Sequence, residues 1–271
     1  MVEIRVIGEL RLAGTAAELP SSRRARALLG WLAVHPGRHH RSRLAGLFWP
    51  DVLDASARAS LRSAVWALRP ALGAALIASR GTLMLDGSLP VDLWQFRRLL
   101  EAGEQEAALD LCGGELLQDL DDDWVIEARA EFEDDIAAAL ITLTERAADP
   151  AAALAWARRL TAARPLDETA GALLIRTCLA AGDTTGALDA FAGLRLRLAT
   201  ALDIPVSEAT AALIEPLMAD RGGPEPAGAG RSWSGGSVQP PPGLVGRGTT
   251  SSRRWLPPGS PLAPGRGRRS C

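Results

Sequence analysis

The apolar and polar positions at the start of the chain alternate as they do in a β-strand. Val2–Gly8 alternates apolar with polar residues and contains several β-branched side chains, which predicts a strand. Leu10–Leu12 continues the alternation and is a plausible partner for that strand. Farther along, the short apolar runs Leu76–Ser79 and Thr82–Asp86 flank Arg80-Gly81, which predicts a hairpin with a glycine turn.

Between the first strands and the hairpin, three segments repeat apolar residues at the spacing of one helix face. Residues that favour the N-cap position precede them. The three helices are expected to begin after Ser21 or Ser22, near Ser42, and after Asp51 or Asp54. Strands, three helices and a hairpin in this order predict a winged helix-turn-helix.

From Val91 to about Met218 the pattern is helical almost throughout. Ala153–Trp156 and Ala187–Phe191 resemble each other at a separation of 34 residues, the period of tetratricopeptide helical hairpins. The fold class expected for the chain is therefore mostly α, with small β elements in a winged helix-turn-helix and then an all-α, tetratricopeptide-like domain. The expected helices of the second part are Asp92–Ala102, Glu104–Cys112, Asp123–Ala148, Pro150–Ala163, Asp167–Ala181, Thr184–Leu202 and Ser207–Met218.

Charge and composition divide the chain into three parts with the expected boundaries 1–90, 91–220 and 221–271. Residues 1–90 hold 12 arginines and 6 acidic residues, whereas residues 91–220 hold 10 arginines and 25 acidic residues. Residues 221–271 contain 12 glycines and 9 prolines, which predicts a disordered tail. A basic head on an acidic body suggests a module that binds a polyanion, although solvated surface charge would give the same totals.

Several function classes are excluded or disfavoured by the composition. All 30 basic residues are arginine, so the chain has no lysine for a phosphate loop, a Schiff base or a protein-kinase site. Three widely separated cysteines argue against a disulfide framework and a Cys-x-x-Cys metal pair. We therefore expect a cytoplasmic protein that is not an enzyme, with no cofactor, no metal site, no signal peptide and no membrane partner.

The third helix carries the pattern that points most directly to DNA. Arg58, Arg62, Trp66 and Arg69 share one face opposite the apolar stripe, with Ser63 beside them. Such a helix fits the major groove, where arginine can bind guanine through two hydrogen bonds and also neutralise phosphates. An ordinary surface helix with a partly exposed tryptophan would show the same pattern, so the helix alone leaves both interpretations open.

Arginines outside the third helix favour the DNA interpretation. Arg41 and Arg43 lie at the start of the second helix, where the helix N-terminus and the two charges can hold a phosphate. Arg80 lies at the hairpin tip and could contact the neighbouring backbone. The histidines, His35, His39 and His40, are expected in a phosphate-facing loop. The acidic runs Asp121–Asp123 and Glu131–Asp135 are interpreted as solvated helix faces or as a docking surface for a basic partner.

Two sets of residues resemble a known family. One set is similar to the OmpR-type winged helix of SARP-type antibiotic regulators: Leu47–Asp51, Ala57–Arg62, Ala67–Arg69 and Leu72-Gly73. The other is similar to the bacterial transcriptional activation domain that follows it in that family: Val91–Leu93 with Phe96, Asp123-Trp124, Glu127 with Arg129, Gly186–Leu188, and Leu202–Pro205. The resemblance covers about residues 2–218. It implies an activator of biosynthetic gene clusters that binds repeated promoter sites in double-stranded DNA and recruits RNA polymerase. Because one domain binds few base pairs, we expect a homodimer that uses two repeated half-sites and gains affinity through effective concentration.

Two departures from the family pattern lead to further hypotheses. Pro70 replaces a helix former and is expected to kink the third helix near Trp66, so the alternative function is a helical-repeat scaffold whose head binds DNA weakly or not at all. Pro242–Arg247 resembles the opening of the nucleotide-binding domain of larger family members, but an acid-free, aperiodic stretch follows it. We expect a truncated or frameshifted relative of such a regulator, with a native basic tail as the alternative.

Overall fold

The computed structural model describes residues 2–221, in which small β elements come first and helices follow, as the sequence predicts. The expected tail lies outside the described residues from position 222 onward. Strand β1 (Glu3–Arg5) pairs antiparallel with β2 (Arg11–Ala13), and Ile4 is buried opposite Leu12. Helix α1 (Arg23–Val34) follows, and its N-cap is Ser22, whose Oγ accepts a hydrogen bond from the backbone N–H of Ala25 at 3.3 Å.

The winged-helix part is completed by three strands and two helices. Strand β3 (His39–His40) leads directly into helix α2 (Arg41–Phe48). Helix α3 (Asp54–Leu72) comes next, and strands β4 (Leu76–Ala78) and β5 (Thr82–Leu85) form the predicted hairpin. Strand β5 lies in the centre of the sheet, between β3 and β4. Because β3 pairs with β5, the start of α2 lies beside the hairpin tip.

The start of helix α3 differs from the expectation. Leu53 occupies the N-cap position without a side-chain cap, while Asp54 lies in the first turn and forms an ion pair with Arg58 one turn later. The helix continues through Pro70 and ends at Gly73, whose φ of 54° suits a residue without a Cβ. Proline removes only the hydrogen bond to the Trp66 carbonyl, and the two residues after it still complete the last turn.

The remaining helices follow the predicted boundaries closely, apart from the last one. The expected helix over 207–218 is divided in two, because Pro216 cannot donate to the preceding turn and is favoured in the first turn of a new helix. The helices are α4 (Asp92–Ala102), α5 (Gln105–Asp110), α6 (Asp123–Arg146), α7 (Pro150–Ala163), α8 (Glu168–Ala180), α9 (Thr184–Leu202), α10 (Glu208–Ala211) and α11 (Glu215–Arg221).

Helices α6 to α9 each pack against the next helix along the chain, as in stacked helical hairpins. Leu154 on α7 and Leu188 on α9, the two positions related by 34 residues, pack against the same apolar cluster. That cluster has Ile175, Cys178 and Phe191 at its centre. The sequence repeat therefore corresponds to equivalent helices that share one core.

A continuous core joins residues 2–90 to the start of the helical part. Val6, Phe96 and Phe132 belong to one buried cluster, and the rings of Phe96 and Phe132 meet edge to face with centroids 5.0 Å apart. The backbone N–H of Ile4 donates to the Pro90 carbonyl at 2.9 Å, and the N–H of Leu117 donates to the Val6 carbonyl at 2.8 Å. We call this contact between residues 4–34 and residues 90–132 the joint.

Candidate nucleic-acid interface

Helix α3 presents one apolar face to the core and one arginine-rich face to solvent. Leu61, Val65 and Leu68 on the inner face are at most 5% exposed. All five residues that the sequence assigned to the outer face are exposed: Arg58, Arg62, Ser63, Trp66 and Arg69. The separation follows from the helical period, because residues three and four positions apart lie on the same side.

A cleft of about 620 Å³ lies between the start of α2, the outer face of α3 and the hairpin tip. It brings together residues that are distant in the sequence. Its lining includes four of the predicted contact residues, Arg41, Arg58, Arg62 and Arg80, together with His40, Ser42, Leu61, Ser79 and Gly81. We call this feature the arginine cleft.

Arg41 is held in the arginine cleft by both its backbone and its side chain. The backbone N–H donates to the Gly81 carbonyl at 3.0 Å, and the guanidinium donates to the Ser79 carbonyl at 3.3 Å. Partial burial lowers the pKa of Arg41 from its ordinary value, and the like charges of Arg62 and Arg69 lower it further. An anion in the cleft would relieve this repulsion, so the site is suited to phosphate.

The partners of these arginines differ along the surface. Arg58 pairs with Asp54, whereas Arg41, Arg62, Arg69 and Arg80 form no ion pair with any residue in the range 2–221. Positive charges without acidic neighbours attract a polyanion without competition from the protein itself. This face therefore presents unpaired positive charges to which a polyanion such as nucleic acid could bind.

Arg43 does not line the arginine cleft, although the sequence analysis grouped it with Arg41. Two residues along a helix point in nearly opposite directions, so Arg43 instead lines a second cleft beside α6. The other residues of that cleft include Trp31, His35, Glu127 and Glu131. A phosphate contact by Arg43 stays a prediction that this placement does not favour.

Ser63, Trp66 and Arg69 extend the exposed face of α3 beyond the cleft. The Ser63 hydroxyl donates to the Ala59 carbonyl at 3.3 Å, so it lies close to the helix backbone. Trp66 is 76% exposed. The positive charge of Arg69 contributes to the lowered pKa of Arg41.

The histidine loop only partly follows the expectation. His35 stacks on Trp31, and the Nε2 atom of His39 lies 2.7 Å from the His35 carbonyl oxygen. Burial lowers the pKa of His39 below its ordinary value. His40 alone of the three lines the arginine cleft, together with Ser42 and Ser79, which the sequence analysis missed. These cleft residues could have been found from their sequence neighbours, because His40 and Ser42 adjoin Arg41 and Ser79 adjoins Arg80.

Residues that carried the resemblance to the activation domain turn out to build the joint. The Asp92 carboxylate accepts hydrogen bonds from the backbone N–H groups of Val6 and Ile7 at 2.9–3.1 Å. The Arg129 guanidinium donates to the carbonyls of Leu116, Leu117 and Leu120 at 2.8–2.9 Å. Asp92 therefore ties the helical part to the winged helix, whereas Arg129 fixes the segment before α6, whose Leu117 N–H donates to the Val6 carbonyl.

Part of the acidic run is also used within the joint. Asp121 and Asp122 form ion pairs with Arg23 and Arg24 at the start of α1. The Asp119 carboxylate accepts from the Leu10 N–H at 2.8 Å and pairs with Arg26. These carboxylates face an intramolecular basic helix, which neither interpretation from the sequence had considered.

Comparison with known proteins identifies the helical part and a similar solved structure. Residues 91–218 match the model of the bacterial transcriptional activator domain. The fold matches Mycobacterium tuberculosis EmbR, solved in complex with a low-affinity phosphopeptide, with a TM-score of 0.62 and 25% sequence identity. The match covers 81% of this chain and 65% of that one, so the chain spans about two thirds of EmbR's length.

Two other results complete the comparison. A search of curated proteins found no match. Among the helices of residues 2–221, none has the length and apolarity required to cross a bilayer. The activator domain follows a winged helix, as expected from the sequence, and these two matches support a SARP-type transcriptional regulator.

Proposed function

We propose that the protein binds double-stranded promoter DNA by placing α3 in the major groove. Arg62 and Arg69 would contact base edges from the exposed face of the helix. Arg41 and Arg80, which lie beside each other in the arginine cleft, would hold the neighbouring phosphates and so fix the position of the helix on the duplex. Ser63 and Trp66 complete the surface that faces the bases.

One observation carries this proposal. Three elements distant in sequence bring Arg41, Arg62 and Arg80 to one cleft, and none of them has an acidic partner within residues 2–221. An incidental arginine stripe on α3 would not explain why a second helix and a hairpin tip bring further unpaired arginines to the same cleft. The continuation of α3 through Pro70 also supports DNA binding over the alternative of a scaffold with a defective head.

The regulatory details of the proposal rest on the resemblance to SARP-type regulators. We infer that the protein is a cytoplasmic, non-enzymatic activator of a biosynthetic gene cluster for a secondary metabolite. Two copies would bind repeated promoter sites, because one winged helix contacts few base pairs and a second copy raises the effective concentration. The helical part would contact RNA polymerase.

A mobility-shift titration with the full chain tests the proposal. The duplex is the promoter region upstream of the neighbouring gene cluster, and a scrambled duplex of equal length serves as the reference. We expect specific retardation of the promoter fragment, with an affinity that falls linearly on a log–log plot against salt at about −0.9 per neutralised phosphate.

A charge-matched pair of triple variants locates the interface. Replacing Arg62, Arg69 and Arg80 by alanine should abolish specific retardation. Replacing the exposed arginines Arg146, Arg158 and Arg195 of the helical part by alanine changes the net charge equally and should have little effect. Equal affinity for promoter and scrambled DNA, or equal losses in the two variants, would contradict the proposal.

A further inference from the structure

Trp66 is much more exposed to solvent than the other tryptophans of residues 2–221. Trp31 is 6% exposed and packs in the core, and Trp94 donates its indole N–H to the Ala33 carbonyl at 2.6 Å. Trp49, Trp124 and Trp156 are half-buried, whereas Trp66 is 76% exposed. Its side chain is therefore not required by the fold and is available to contact a ligand.

The surroundings of Trp66 indicate what it contacts. Arg62 precedes it by four residues and Arg69 follows it by three, so both lie on the same face of α3. Both arginines are exposed and form no ion pair within the described part of the chain. A protein partner with an apolar pocket would have to tolerate these charges, whereas DNA neutralises them.

In the major groove, base edges offer mostly hydrogen-bond donors and acceptors, and the guanidinium of arginine binds the acceptors. The exception is the C5-methyl group of thymine, which only an apolar side chain can contact favourably. The indole ring of Trp66 has a single N–H donor and an otherwise apolar surface. It is the large apolar group between the two arginines on the exposed face.

We propose that Trp66 reads thymine through its C5-methyl group and thereby sets one position of the recognised DNA sequence. This inference rests on the proposed function, because it requires α3 to lie in the major groove. Contact with the methyl group would distinguish thymine from the other bases, which the arginines do not do through their hydrogen bonds. One thymine in each bound site would lie against the indole ring.

The test uses the full chain and a duplex selected by it from a random pool. Each thymine of the selected duplex is replaced in turn by deoxyuridine, which removes only the methyl group. We expect one replacement to weaken binding by about fourfold, the change that corresponds to a single methyl group returned to water. Trp66→Ala should bind the thymine and deoxyuridine duplexes equally, and Trp66→Phe should retain the preference for thymine.

Arg62→Ala is the matched control, since it should weaken binding to both duplexes while preserving their ratio. If no replacement weakens binding, or if Trp66→Ala still prefers thymine, the inference is wrong while the proposed DNA binding stands. If the full chain selects no duplex at all, the proposed function fails and the inference fails with it. Circular dichroism of each variant separates a folding defect from a loss of recognition.

Discussion

The arginine cleft and the joint use the same type of side chain for opposite purposes. In the joint, Arg26 pairs with Asp119, and Arg129 donates to three carbonyls and pairs with Glu115. In the cleft, Arg62 and Arg80 extend into solvent with no acidic partner among residues 2–221. The chain contains no lysine, so residue type alone cannot distinguish the two roles.

The difference lies in what the rest of the chain places opposite each arginine. A guanidinium whose donors are satisfied within the protein contributes to stability and leaves little capacity for a ligand. A guanidinium held without an acidic neighbour contributes little to stability and keeps its donors for DNA. The comparison therefore predicts that substitutions in the two regions will separate stability from binding.

The largest expected effect is on stability, at Arg129. Replacing it by methionine keeps the apolar stem but leaves the carbonyls of Leu116, Leu117 and Leu120 without their donor. It also removes support from Leu117, whose φ of 50° is unfavourable for a branched residue. We expect the free energy of unfolding to fall by about 2–4 kcal/mol in chemical denaturation.

Arg62→Met is the control for that measurement and should change the free energy of unfolding by less than about 0.5 kcal/mol. Similar losses of stability in the two variants would remove the distinction between cleft and joint.

An intermediate effect is expected on DNA affinity. Arg62→Ala should weaken specific binding by about 1–3 kcal/mol, because it removes contacts to a base edge and reduces the charge of the cleft. Arg23→Ala removes the same charge at an exposed ion pair of the joint and should change affinity far less. Fluorescence anisotropy with a labelled promoter duplex measures both, and the opposite ranking would refute the assignment of the cleft as the interface.

The smallest effect concerns pH, because two influences oppose each other at Asp92. Burial raises the pKa of Asp92 above its ordinary value, while hydrogen bonds from the N–H groups of Val6, Ile7 and Leu93 lower it. The net rise means that the folded state holds the proton more tightly than the unfolded chain. The stabilisation is therefore full below about pH 4 and is lost as pH rises through the raised pKa.

Measuring the free energy of unfolding of wild type and Asp92→Asn between about pH 4 and 7 isolates this contribution. The stability of wild type relative to the variant should decrease as pH increases. An increase would mean that the three hydrogen bonds outweigh burial.

Much of the fold followed from the sequence because local patterns determine helices and strands. The bounds of α4, α7 and α9 coincide with the predicted ones, and Ser22 caps α1 as expected. The division near Pro216 was missed, since an apolar stripe continues across it. The start of α3 at Leu53 was missed because its backbone takes the N-cap conformation without a capping side chain.

The candidate site was predictable on the helix and less so beyond it. Spacing along α3 identified five residues that the structure places on its exposed side: Arg58, Arg62, Ser63, Trp66 and Arg69. The placement of Arg43 away from the cleft, and of Asp121 and Asp122 opposite α1, depends on how distant segments pack. No local pattern contains that information, and the charge totals of the two regions conceal it.

The joint has a consequence for how such regulators can be recombined. A chimaera that cuts between residues 90 and 91 would separate Asp92 and Phe96 from the winged helix and leave the N–H groups of Val6 and Ile7 without acceptors. A domain swap would have to transfer residues 91–132 with the winged helix or rebuild the contact. The structural unit that can be inherited or engineered as one piece with the winged helix therefore extends well into the activator domain.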